Sequence, residues 1–230
     1  MSNYEFKEKN IIVSLSINIM IVIFTVVASV MTFVGYNFMT ENAIELDVPG
    51  FGMFKFFTIQ SNIFMGIIAL VFVIDGIKIL MCKIDGISSR KYILKLMSTT
   101  SVGLTFFVVF AYLGPISRGG IPAMLMNSNI FLHLVIPVLS MFNFVVFEKS
   151  DKIKLRYVAY GMIPTFLYGI YYIGNILVHM ESGKVSPKYD WYWFVQNGVW
   201  TAVIVVPLML GISYIISLLL WRFNKKNEKR

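Results

Sequence analysis

Six stretches of this chain run for about 20 residues or more with almost no charge, and nothing else in the sequence constrains the fold so strongly. A helix must be about that long and apolar to cross roughly 30 Å of hydrocarbon. Trimmed of polar and proline-containing ends, the runs predict spans at residues 11–36, 54–80, 92–113, 127–147, 157–179 and 199–221. Strands of a membrane barrel would alternate apolar and polar residues with period two, and these runs do not. The expected fold is therefore all-α, a single domain over residues 1–230 with six transmembrane helices in one bundle. The first run is too long for a signal-peptide core and lacks a net-basic flank before it, so it reads as a retained helix.

Composition agrees with lipid as the solvent. Hydrophobic residues make up 57% of the chain and charged residues 14%, whereas a soluble domain carries about 25% charge. The single Cys82 excludes an internal disulfide framework and a cysteine-based zinc site. The net charge of +8 would suggest nucleic acid if it lay on a soluble face. Its distribution says otherwise. With six spans, 16 of the 20 basic residues fall on the side of both termini, leaving Lys55, Arg118, Lys184 and Lys188 opposite. By the positive-inside rule both termini are expected in the cytoplasm, the basic loops against anionic headgroups, and no nucleic-acid partner is required.

That orientation gathers the scarce polar residues of the spans at one depth. Thr58, Gln60, Ser61 and Asn62 open the second span; Asn127, Asn129 and His133 open the fourth; Asn175 and His179 close the fifth; Asn197 precedes the sixth. Thr58, Ser61 and Asn62 stand at i, i+3, i+4 and share a helix face, as do Asn129, His133 and Pro137 at i, i+4, i+8. Pro137 has no N–H to give the His133 carbonyl, which leaves that acceptor in need of a partner. A lone Thr in a span is usually a packing residue bonded back to its own helix, and Ser61 with Asn62 reads as interhelical glue. An ionisable group inside the membrane is by default a functional candidate, which singles out His133. Asp75 and Lys78 at i, i+3 are expected to form an ion pair. Trp191, Tyr192, Trp193 and Trp200 are expected to form an interfacial belt or the rim of a pocket.

A Thr hydroxyl and a neutral imidazole at one depth suit nucleophilic catalysis, with His133 taking the proton as Thr58 attacks an acyl carbonyl. Gln60, Asn62 or Asn129 would donate to the oxyanion or position substrate. No carboxylate lies at that depth to orient the imidazole, and Asp47, Glu181 and Asp190 in outer loops are the speculative third members. Two His residues without clustered acids do not assemble a metal site, and no cofactor motif is present. These residues leave three readings open: a lipid ester hydrolase, a membrane acyltransferase, and a non-enzymatic transporter or lipid-binding bundle.

The segments Phe56-Phe57-Thr58-Ile59-Gln60-Ser61-Asn62 and His133-Leu134-Val135-Ile136-Pro137 carry a resemblance to the androgen-induced and androgen-dependent six-pass membrane hydrolases and their bacterial relatives. The resemblance covers nearly the whole chain in hydropathy and spacing. Its signatures are FFT-x-x-SN, H-x-x-x-P and an aromatic stretch before the last span. Relative to the animal pattern the Asn is offset by one position, and the segment Tyr189-Asp190-Trp191-Tyr192-Trp193-Phe194 lacks prolines. The resemblance implies hydrolysis of fatty acid esters of hydroxy fatty acids, with a membrane Thr as nucleophile and a membrane His as base, roles that fall on Thr58 and His133. It also implies a bacterial plasma membrane, while oligomeric state stays open.

Overall fold

The computed structural model describes residues 3–39, 48–117, 119–195 and 198–225. Asp47, Arg118, Asn197, Lys226, Lys229 and Arg230 lie outside the described residues. The fold is all-α apart from a two-residue hairpin, β1 (Met180–Glu181) with β2 (Lys184–Val185). The helices are α1 (Asn3–Val34), α2 (Phe57–Leu80), α3 (Ser89–Ile116), α4 (Gly120–Met124), α5 (Phe131–Val146), α6 (Leu155–Val178) and α7 (Ala202–Asn224). Of these, α1, α2, α3, α6 and α7 are long and apolar enough to cross a membrane, which marks an integral membrane protein; α5 is apolar and shorter.

The apolar runs thus become helices close to where the sequence places them, with instructive differences at the ends. The second span starts later than residue 54, because residues Gly50–Lys55 form a 3-10 turn and Phe56 is extended. Thr58 is consequently the second residue of α2 and sits in its first turn. Asn127 precedes α5 in a left-handed conformation (φ 54), where its Oδ1 accepts the Phe38 and Met39 N–H groups, both at 2.8 Å. The first two turns of α6, Leu155–Met162, are 3-10 and give way to α-helix at Ile163-Pro164.

Helix α3 is the hub. Among the spanning helices its apolar window is the most buried, at 61%, and it packs on α2, α5, α6 and α7. Helix α1 packs on α2 and α5, so α1, α2, α3 and α5 close into a four-helix ring. Interior placement explains the polar character of α3: Lys95, Ser98, Thr99, Thr100, Ser101 and Thr105 are all buried against other helices and spared from lipid.

Two helices change gauge just before a proline. In α3 the Gly114 N–H reaches the Val109 carbonyl, a π-helical turn followed by Pro115. In α5 the Ile136 N–H reaches the Phe131 carbonyl, a π-helical turn followed by Pro137. The extra residue moves the proline effect by one position. In that register the Leu132 carbonyl meets the missing N–H of Pro137. Asn62 of α2 fills the gap with an Nδ2 bond of 3.1 Å to Leu132 O. Such bulges recur at functional sites because they re-aim side chains on an otherwise regular helix.

Candidate functional site

The start of α2 has no side-chain N-cap of the usual kind. Two side chains from elsewhere and one of its own first turn hold it instead. The Tyr168 hydroxyl donates to Lys55 O at 2.8 Å, the Gln60 amide donates to Phe54 O at 2.7 Å, and the Phe57 N–H donates to the Tyr192 hydroxyl at 2.9 Å. Tyr192 and Thr58 line the same cavity wall. Thr58 is therefore held at the positive end of a helix dipole, where developing negative charge is favoured.

His133 lies within the π-helical turn of α5 and is 8% exposed. Its Nδ1 lies 2.7 Å from the Met124 carbonyl at the end of α4. A carbonyl only accepts, so Nδ1 carries the proton and the second nitrogen, Nε2, keeps its lone pair. The group that orients the imidazole is thus a main-chain carbonyl nine residues upstream. Among the described residues no acidic side chain takes that role: Glu181 is exposed on β1, and Asp190 is committed elsewhere.

Thr58, Asn129 and His133 line one cavity of about 40 Å³, together with Thr32, Phe56 and Tyr192. Asn129 makes no side-chain hydrogen bond to any described residue, so its amide is available to whatever occupies that space. Thr58 also borders a second cavity of about 80 Å³ between α2, α3, α6 and α7. This one is almost wholly apolar, walled by residues such as Leu104, Val108, Val206 and Met209. Thr58, Leu113 and Tyr192 belong to both walls, so the hydroxyl stands at the junction of a polar chamber and an apolar one.

The remaining candidates fall away from this junction. Gln60 is exposed and holds Phe54 O, as described. Asn62 is fully buried and gives Nδ2 to Thr58 O (2.8 Å) and Leu132 O, tying α2 to α5 behind the cavity. Ser61 meets Thr105 of α3 at 3.1 Å. His179 bonds Asn175 O at 2.9 Å and stacks on Tyr189, at the far end of α6.

The aromatic segment has a larger part than an interfacial belt. Trp200 is 85% exposed, whereas Trp191 and Tyr192 fold inward and are buried. Asp190 makes this possible. Its buried carboxylate accepts the Tyr172 hydroxyl and the N–H groups of Phe194 and Val195, both at 3.0 Å, which pins the loop over α6 with Trp193 in a left-handed conformation (φ 58). Burial pushes the Tyr192 phenol up to about 12, so it remains a neutral hydroxyl beside Thr58. Above the loop, Lys55 lies over the Phe56 and Trp191 rings at 5.0 and 5.1 Å, and burial together with nearby Lys188 lowers its pKa. Lys184 is exposed on β2.

A second polar cluster occupies the opposite end of the bundle, and sequence reasoning missed it. Lys95 is fully buried and pairs with Glu148 at 3.2 Å. Glu148 Oε1 also accepts Asn18 (2.7 Å), Asn143 (3.0 Å) and Ser14 (3.2 Å). Asp75, expected to pair with Lys78, pairs with Lys91 of α3 at 2.7 Å instead. The i, i+3 rule describes an isolated helix, and here a lysine from the next helix reaches the carboxylate with both oxygens engaged.

The chain matches no family model, no curated protein and no solved structure.

Proposed function

We propose that the protein is an intramembrane hydrolase of lipid esters in which Thr58 is the nucleophile and His133 the general base. The observation that carries this reading is the shared cavity: Thr58 and His133 border one chamber, with the imidazole tautomer set by Met124 O so that Nε2 accepts a proton. The adjoining apolar cavity suits an acyl chain, and Thr58 at their junction is where its carbonyl carbon would lie.

In the first step His133 Nε2 takes the Thr58 proton as Oγ1 bonds to the acyl carbon. The oxyanion faces the Asn129 amide and the Tyr192 hydroxyl, donors in a site shielded from bulk water. His133 then gives its proton to the departing alcohol oxygen, leaving acyl-Thr58. In the second step a water loses a proton to His133, attacks the acyl carbon, and the proton returns to Thr58 as the acid leaves. Acyl transfer differs only in that an alcohol replaces this water.

The reading includes six spans, with α5 as the fourth, both termini cytoplasmic, and the Thr58 junction in the outer leaflet. The sequence resemblance to the six-pass hydrolases supports this arrangement, a bacterial plasma membrane, and fatty acid esters of hydroxy fatty acids as the substrate class. Lys55 and Lys188 on the outer surface would meet the carboxylate of such a lipid. The test is hydrolysis of that ester by purified protein in lipid, with products resolved by mass spectrometry in the presence and absence of an alcohol acceptor. Free acid lost in Thr58→Ala and in His133→Ala supports the reading; turnover retained in either variant overturns it.

A further inference from the structure

The ring of α1, α2, α3 and α5 encloses a line of polar side chains that the ester chemistry does not use. At one end stands the Lys95–Glu148 pair, an ionised pair inside an apolar bundle and so a functional candidate in its own right. Glu148 Oε1 takes bonds from Ser14, Asn18, Asn143 and Lys95, yet its Oε2, equally buried, has no partner among the described residues. Lys95 Nζ also reaches Asn18 Oδ1 at 2.5 Å and lies over the Phe72 ring. Tyr92 also faces Glu148, and Asp85, Lys149, Asp151 and Lys152 border the same cavity.

From that pair the polar atoms continue through the ring. On α1, Asn18, Thr25, Ser29 and Thr32 are spaced seven, four and three residues apart and share one face. The hydroxyls of Thr25 and Ser29 are buried without partners among the described residues, as are those of Thr99 on α3 and Ser140 on α5 and the Oδ1 of Asn62 on α2. Asn18 to Thr32 spans roughly 21 Å at 1.5 Å per residue, most of a bilayer core. Thr32 and Asn62 bring the line to the Thr58–His133 chamber, the first as part of its wall and the second through Leu132 O. Buried polar groups in apolar surroundings take hydrogen bonds, and where side chains do not supply them internal water does.

We propose that this ring encloses a water-lined proton path from the Lys95–Glu148 pair to the His133 chamber. A proton arriving on Glu148 Oε2 neutralises the carboxylate. Lys95 releases one of its own protons into the line of hydroxyls and water, and the proton on Glu148 then crosses to Lys95 and restores the ion pair. Each cycle delivers one proton to the His133 chamber, and its release from there to water at the opposite end of the bundle leaves every residue as it began. Ile21, Met65 and Ile136 are fully buried in one apolar cluster on the same helices. A cavity of about 900 Å³ bordered by Ser14, Tyr92, Glu148 and Lys152 supplies the entrance.

The path stands apart from the ester chemistry and is tested without it. Purified full-length protein is reconstituted into phosphatidylethanolamine–phosphatidylglycerol vesicles holding a pH-sensitive dye, with a potassium gradient and valinomycin setting the potential. Wild-type vesicles should acidify well above the rate of protein-free vesicles. Glu148→Gln, which keeps an acceptor for Asn18 and Asn143, should lose that flux. The uncharged double change Thr99→Val with Ser140→Ala should lose it as well, and covers the case in which the first variant does not fold. Wild-type flux no greater than that of protein-free vesicles overturns the proposal, and so does either variant conducting at the wild-type rate.

Discussion

The two ends of the bundle both bury polar groups, and they do so in opposite ways. At the Lys95 end the charges are paired, and four neighbours crowd one oxygen of Glu148. At the His133 end the polar groups are neutral and sparse, and several of them face open space: Thr58, Asn129 and His133 all border a chamber. Tightly bonded groups hold helices together, while groups left facing a cavity are available to something that enters it. The comparison teaches that availability in this protein is set atom by atom: Glu148 Oε1 is fully committed to its neighbours, whereas Glu148 Oε2, without a partner among the described residues, is left available as are the groups around the Thr58–His133 chamber.

That contrast is open to direct attack. The largest effect is expected for Thr58→Ala, which should lower ester turnover by about a thousandfold or more and leave unfolding in mild detergent unchanged, both read on the same preparation. Glu148→Ala should do the reverse in kind. By stranding the Lys95 charge in an apolar interior it should cost about 3–5 kcal/mol of stability, measured by denaturant titration. Asn129→Ala should reduce kcat by roughly a hundredfold to a thousandfold with little change in stability, as loss of a single oxyanion donor does. The smallest effect on turnover is expected for Gln60→Ala, which removes one exposed hydrogen bond to Phe54 O, should cost about 0.5–1.5 kcal/mol of stability and should leave turnover intact. A large loss of activity from Gln60→Ala, or of stability from Asn129→Ala, would erase the distinction.

Much of this arrangement is legible in the sequence, and what is hidden has physical reasons. Hydropathy finds the helices because lipid enforces length and apolarity on each one separately. It also finds Thr58, Asn129 and His133, since polar residues inside a span are rare enough to stand out. Lys95 escapes notice because it follows Lys91 by one turn and reads as a flanking charge on a helix end; only the packing of α3 at the hub shows that it is interior. Glu148 reads as a loop residue for the same reason. The expected partner of Asp75 was its own helix neighbour, whereas the actual one comes from α3 across a short loop. The π-helical turns leave no mark in a pattern of period 3.6, so the bond from Asn62 to the Leu132 carbonyl could not be foreseen. Trp191 and Tyr192 look interfacial by composition, and only the three bonds to Asp190 reveal that their loop turns inward.

The central claim is that Thr58 is a nucleophile activated by His133, and covalent capture tests it most directly. An active-site-directed fluorophosphonate applied to wild-type protein in lipid should label one residue, and peptide mass spectrometry should place the adduct on Thr58. His133→Ala should abolish labelling although Thr58 is still present, since the hydroxyl would lack its base. Labelling undiminished in Thr58→Ala, or an adduct found on another residue of the wild type, would contradict the account.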